Sequence, residues 1–236
     1  MDESDIRFRI SAARRMLYRE GCDSQTAGHV SVRDDDHETF WVTPFQCFDE
    51  TLPEHVIRVT YDLALVEGDW EASPAIAFHA AIYRERPDVG CVVHHHGYYT
   101  SVVASTGGVV GQYNLLANLF FDDQNVIFDN EDGSAASDKR LASALGDKNV
   151  LLMKNHGCVV VGDTLEIATI KALLLEKAAR YHVDCVALGG TELDDEAHVR
   201  SYGFNLAKYM LPEMWRASMR RLRKSDPELF EWAAAH

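Results

Sequence analysis

The chain has 236 residues, 47% hydrophobic and 25% charged, a balance that suits one well-packed α/β domain and excludes global disorder. Its formal net charge of −14 gives no basic face for polyphosphate, so no nucleic-acid partner is expected, and an anionic substrate would need a local positive centre such as a bound metal. No run approaches the roughly 20 apolar residues of a membrane span, the N-terminal stretch lacks a signal-type apolar core, and Cys22, Cys47, Cys91, Cys158 and Cys185 form no CxxC pair, so a reducing, cytoplasmic setting is expected.

In chain order, residues 5–20 carry Ile6, Ile10, Ala13 and Leu17 at helical spacing, and Gly21 stops the run. HVSVR (29–33) and TFWVTP (39–44) read as two strands around an acidic turn at 34–36, and VIRVTYD (56–62) as a third extended segment. Ser73-Pro74 predicts a helix start, with serine as N-cap and proline at the first helical position, before AIAFHAAIYRER. Pro87 ends that helix, because proline disfavours the helical region in the residue before it. GCVVHHH (90–96) is a short buried strand, and YYTSVVAS (98–105) a helix leading away from it.

The stretch 106–135 shows no regular pattern. SAASDKRLASALG (134–146) predicts a helix, and NVLLMKNHGCVVVG (149–162) two strands around Asn155-His156-Gly157. A long amphipathic helix follows over 163–188, capped by Asp163 or Thr164 and closed at Gly189-Gly190. Residues 191–236 form a charged, aromatic, helical tail able to pack on the domain or to contact a neighbouring subunit. With no repeat and no Pro/Gly linker, residues 1–236 read as a single domain.

His94 and His96 stand two apart in a strand, so their rings share one face while His95 points to the other, where it reads as structural. A useful metal site wants a third ligand and an open position. His156, in a tight turn between two apolar strands, is the best distant candidate. Spacing alone leaves open the alternative that these are hydrogen-bonded strand histidines.

The segments GHVSVR (28–33), VTP (42–44), FHAAIYRERPDVGCVVHHH (78–96) and LLMKNHGCVVVGDTLEIATIKALLLEKAAR (151–180) resemble, in order and spacing, the class II aldolase/adducin head-domain family, over roughly residues 5–190. The resemblance implies a three-layer α/β/α sandwich with a mostly antiparallel central sheet. It implies that His94, His96 and His156 bind a catalytic divalent metal, with Zn favoured and Mn or Fe also accepting imidazole. It implies a homotetramer with sites at subunit interfaces, in which a C-terminal tyrosine of a neighbour acts as acid; Tyr202 and Tyr209 are the candidates by position.

The chain departs from the sugar-phosphate aldolases of that family where their acid/base glutamate and phosphate ligands stand. Their Ser-Ser-Glu is Ser73-Pro74-Ala75 here, their Gly-Asn-x-Ser is Gly28-His29-Val30-Ser31, and their TPSG-type turn is Thr43-Pro44-Phe45-Gln46. Retro-aldol cleavage needs a base, worth about 10²–10⁴-fold in rate, whereas CO₂ departs without prior proton abstraction.

The family also holds decarboxylases of hydroxyaryl or β-keto acids, and the GH-x-S-x-R stretch (28–33) resembles that branch. With the glutamate missing, the resemblance implies a metal-dependent carbon–carbon lyase, preferably decarboxylating such an acid through a metal-stabilised enolate. His29 is placed as a catalytic residue that contacts the substrate carboxylate or donates a proton, the alternative being a hydrogen-bonded loop histidine. Ser31, Thr43, Ser73 and His79 are placed around the substrate, a small molecule carrying a carboxylate. Phe45 suits a flat, weakly polar substrate. Tyr98, Tyr99 and Lys154 are further pocket candidates, each with packing or exposure as the commoner role, and Arg84 and Arg86 read as structural. The alternatives are an aldolase on an unphosphorylated hydroxy-carbonyl compound and a non-catalytic adducin-like assembly domain.

Overall fold

The computed structural model describes residues 3–128 and 134–235. Its centre is a sheet of eight strands: β1 (His29–Arg33), β2 (Thr39–Val42), β3 (Ile57–Thr60), β4 (Leu65–Glu67), β5 (Cys91–His95), β6 (Gln124–Phe128), β7 (Val150–Lys154) and β8 (Cys158–Gly162). They lie in the order β4-β3-β2-β1-β5-β8-β7-β6. All pairs are antiparallel except β6–β7, so the sheet is mostly antiparallel, as expected.

The pleat sends alternate side chains of each strand into two separate cores. Val30, Cys91, Val93, Cys158 and Val160 join one core, built with α1 (Ile6–Arg19) and the long helix that follows β8; Val92, Phe40, Ile57, Val159 and Val161 join the other, built with α2 (Ala77–Glu85). α3 (Tyr98–Ser105) and α5 (Leu165–Ala187) lie on the α1 side, and α4 (Ala135–Leu145) beside α2, which gives the three-layer α/β/α sandwich.

Three elements depart from the sequence expectation. β4 and β6 were not foreseen: β4 is exposed throughout and β6 is at best half-buried, so neither carries the alternation that burial imposes. The α-helix expected from Pro74 begins at Ala77, after a 3-10 turn over Pro74–Ile76. Ser73 still caps that turn, its hydroxyl oxygen accepting from the Ala75 amide at 3.3 Å. Ala75 therefore lies in the 3-10 turn and His79 in the α-helix that follows it.

The tail forms α6 (Glu196–Asn205), α7 (Leu211–Ser225) and α8 (Pro227–Ala235). A π turn over Leu206–Met210 joins the first two, just before Pro212, which has no amide proton for the α-helical ladder. The tail packs back on its own α1: Phe230 meets Phe8 edge-on at 5.2 Å, and Asp226 pairs with Arg15 and Arg19. No described helix is long and apolar enough to cross a membrane, and all five cysteines are free.

Candidate metal centre

Three chain segments meet at one end of the sheet. β5 brings His94 and, just past its end, His96; the β7–β8 turn brings His156; β1 lies beside β5 with His29 opposite His94 in register. One ring nitrogen from each of His94, His96 and His156 lies within 4.8 Å of the others. Their ring centroids are 4.7 to 5.0 Å apart.

Backbone geometry makes this convergence possible. Asn155 takes the left-handed conformation at φ 63°, and the turn closes by hydrogen bonds between Met153 and both His156 and Gly157. A Cβ on Gly157 would stand 2.4 Å from the His95 carbonyl oxygen and 2.7 Å from the His96 ring, so only glycine lets the His156 turn approach β5 this closely. The Cys158 carbonyl accepts from His94 Nδ1 at 2.9 Å, which fixes that ring and turns Nε2 inward.

His95 points to the opposite face, as the alternation requires. Its Nδ1 accepts from the Gly97 amide at 3.0 Å, so Nε2 carries the proton and faces the Cys158 sulfur at 3.2 Å. Buried Glu176 of α5 accepts from the amides of Tyr99 and Thr100, each at 2.9 Å, and from the Thr100 hydroxyl, and so caps α3 where the chain leaves the metal strand. From α3, Ser101 donates to the His156 carbonyl at 3.1 Å. α3 thus touches both arms of the histidine trio.

The α2 side of the centre is a buried polar layer. His29 is fully buried, stacks on His94 at 5.9 Å and meets His79 edge-on at 5.6 Å; among the described residues neither of its ring nitrogens has a hydrogen-bond partner. Burial, then the neighbouring His79 and Arg14, push the His29 ring well below its ordinary value. Burial alone pushes His79 down to about 3, and burial with His96 and His156 lowers His94. These rings are neutral at pH values near 7.

Ser31, expected to face substrate, is engaged by His79 Nδ1 at 2.8 Å and the Tyr83 hydroxyl at 2.7 Å. Thr43 accepts from the Val30 amide at 3.3 Å at the same end of the sheet, and Ser73 is buried at the 3-10 turn before α2. Phe45 is 58% exposed on the turn that follows β2. Beneath that turn, Arg14 is wholly buried, bonds the carbonyls of Pro44 and Gln46, and lies 4.4 Å over Phe48. Burial lowers its guanidinium to about 9.

Other candidates lie elsewhere. Tyr209 is 64% exposed on the π turn, with the Lys208 amine over its ring. Tyr98 and Tyr202 are exposed as well, and Tyr99 lies under Arg180. Lys154 ends β7, its amine 3.8 Å from where a Cβ on Gly107 would be. Arg84 pairs with Asp62, and Arg86 with Asp88 and two carbonyls of the loop after α4, both structural roles. A cleft of about 580 Å³ around Arg33, Gly90 and Asp163 opens at the other end of the sheet and includes none of the trio.

Sequence reasoning missed Tyr83, Glu176 and Arg14. Tyr83 stands four residues after His79 on α2, a spacing that places both on one face and gave the available signal. No spacing rule points to Glu176 or Arg14.

The histidine trio fits a divalent cation. Tetrahedral Zn–N bonds of about 2.0–2.1 Å put ligand nitrogens about 3.3 Å apart, and His94 Nε2 and His96 Nε2 stand 3.0 Å apart. The donors are all imidazole, the set suited to Zn, Fe, Cu or Ni rather than Mg or Ca.

With a three-layer fold and a histidine trio at the end of its sheet, the chain has the architecture of a class II aldolase domain. A family profile described as Class II Aldolase and Adducin N-terminal domain matches residues 8–183, and the chain belongs to that family. Decarboxylase NovR of Streptomyces niveus is 32% identical over 213 residues, covering 87% of this chain and 79% of the relative. The 4-hydroxy-3-prenylphenylpyruvate oxygenase/4-hydroxy-3-prenylbenzoate synthase of Streptomyces roseochromogenus subsp. oscitans is also 32% identical over 213 residues, covering 87% of this chain and 77% of the relative. Among solved structures, L-fuculose 1-phosphate aldolase from Glaciozyma antarctica PI12 superposes with a TM-score of 0.83 at 26% identity, covering 94% of this chain and 90% of that one.

Proposed function

We propose that the protein is a divalent-metal-dependent carbon–carbon lyase that decarboxylates a hydroxyaryl or β-keto carboxylic acid. The observation that carries this reading is the make-up of the site: three histidines of metal-ligand geometry, with neutral, buried His29 and His79 beside them and alanine at position 75. A cation held by His94, His96 and His156 supplies Lewis-acid stabilisation of the charge that develops as the C–C bond breaks; zinc is the first choice. The two relatives at 32% identity, one named a decarboxylase and one an oxygenase/benzoate synthase, support an aryl-acid substrate.

The chain's own residues bind, orient and protonate. His29, being neutral, meets the substrate carboxylate as a hydrogen-bond donor; CO₂ then leaves as a neutral molecule, and the electron pair of the broken C–C bond stays on the carbon fragment. Thr43 and Ser73 each accept an amide proton and keep their own hydroxyl proton to donate to a substrate oxygen. Phe45 offers a face to a planar ring. Protonation of the product carbon falls to Tyr209 of a neighbouring copy in a homotetramer, a role supported by its exposed position on the tail.

The 26% identical structure, that of a sugar-phosphate aldolase, favours a second reading, retro-aldol cleavage. The departures at Gly28-His29-Val30-Ser31 and Thr43-Pro44-Phe45-Gln46 direct it to an unphosphorylated substrate. That reaction needs a base, which Ala75 does not provide. The deciding experiment is metal analysis coupled to CO₂ release from a panel of hydroxyaryl and β-keto acids, in air and under argon. The expected result is about one divalent ion per chain and CO₂ evolution, both lost in His94→Ala. Aldehyde formation without CO₂, or full activity in metal-free His94→Ala, overturns the proposal.

A further inference from the structure

Ser31 lies in the middle of a hydrogen-bonded chain sealed from solvent. The Tyr83 hydroxyl is 2.7 Å from Ser31 Oγ, and His79 Nδ1 is 2.8 Å from the same oxygen, with all three side chains buried. Donor accounting gives the chain a direction. Among the described residues Tyr83 has Ser31 as its hydroxyl partner, so its proton goes there; if the phenol only accepted, that proton would be stranded in the core. Ser31, accepting from Tyr83, donates its own proton to His79 Nδ1. A neutral imidazole that accepts at Nδ1 carries its hydrogen on Nε2.

Among the described residues, buried His79 Nε2 has no partner, and the two ring nitrogens of His29, edge-on at 5.6 Å, have none either. Three buried nitrogens without a partner among the described residues thus belong to two rings in edge contact, and one of those rings, His29, stacks on His94. The ring of His79 is uncharged, because its burial is not offset by any carboxylate.

We propose that Tyr83 and Ser31 are positioning residues that lock His79 in its Nε2–H tautomer, so that it presents a fixed neutral donor, beside His29, to a carboxylate oxygen of the substrate. The carboxylate rests on the function proposed above; the lock does not. Tyr83 touches no substrate and acts through Ser31 and His79. Threonine at 31 should preserve the lock, since it keeps the hydroxyl, and alanine should break it.

The test uses full-length protein with 15N-labelled histidine. In the wild type, the His79 signals, assigned by their loss in His79→Gln, should show protonated Nε2 and unprotonated Nδ1. Tyr83→Phe and Ser31→Ala should populate the other tautomer, and Ser31→Thr should not. A wild-type His79 protonated at Nδ1, or a tautomer unmoved in both Tyr83→Phe and Ser31→Ala, overturns the lock; the two variants perturb the fold differently, so either suffices. A second arm titrates zinc-loaded protein with benzoate and with neutral benzamide. Tyr83→Phe should weaken benzoate about tenfold and leave benzamide unchanged. Equal loss for both ligands overturns the donor role. Wild-type protein that ignores benzoate overturns the carboxylate reading of the site, with the tautomer still decided by the spectra.

Discussion

His79 is wholly buried in α2, and the loss of water around its ring takes the imidazole down from 6.5 to about 3. In the unfolded chain the same ring titrates near 6.5, so between these values the unfolded state binds a proton that the folded state refuses. The stability His79 contributes is therefore complete above the unfolded value and is lost as pH falls toward the folded one, at roughly 1.4 kcal/mol per pH unit. Urea unfolding of metal-free protein from about pH 7 to about pH 5 should show a steeper loss in the wild type than in His79→Gln. Equal slopes would mean that the folded ring takes up its proton after all. Tyr83 is the other residue-scale lesson: it was visible only as a tyrosine at helical spacing from a histidine, and its part depends on a serine from a distant strand.

At the scale of elements, α3 links the two arms of the metal centre. Its first turn is held by the buried Glu176 carboxylate, and its Ser101 holds the His156 carbonyl. Glu176→Gln keeps the size but weakens charge-assisted bonds to two amides, so it should cost about 1–3 kcal/mol in urea unfolding. Chelator competition should show weaker zinc binding in the same variant; unchanged affinity would place the two arms under independent control. The elements legible in the sequence were those that burial patterns strongly: β5, β7, β8, α1 and α5 carry continuous or periodic apolar residues. β4 and β6 at the sheet edges show little burial, and the pattern fades with it. The start of α2 was misplaced because Ser73-Pro74 serves a 3-10 turn as readily as an α-helix. The metal trio was legible because the HxH spacing reflects the pleat itself, and the Asn-His-Gly turn has a backbone reason for its glycine. Arg14 was not legible, since its partners are backbone carbonyls of a turn distant in sequence.

Over the whole molecule, two cores lie on either side of one sheet, and the metal centre sits where strands from the two halves of the chain end together. A cation bound only by the folded form stabilises it by mass action. Free zinc at about a thousand times its dissociation constant should add about 4 kcal/mol, a rise of roughly 8–16 °C in midpoint temperature for a chain of this size. Thermal unfolding with and without chelator measures this, and His94→Ala should show no shift. The pairing of β5 with β8 has one more consequence. Because His94, His95 and His96 are consecutive, a slip of β5 by one residue would turn His95 into the site and His94 away from it. His94 would then lose the Cys158 carbonyl that orients its ring, and His95 would lose its seat beside the sulfur. Metal retention thus acts as a proofreading mark: a chain that holds its ion has also aligned its central strands.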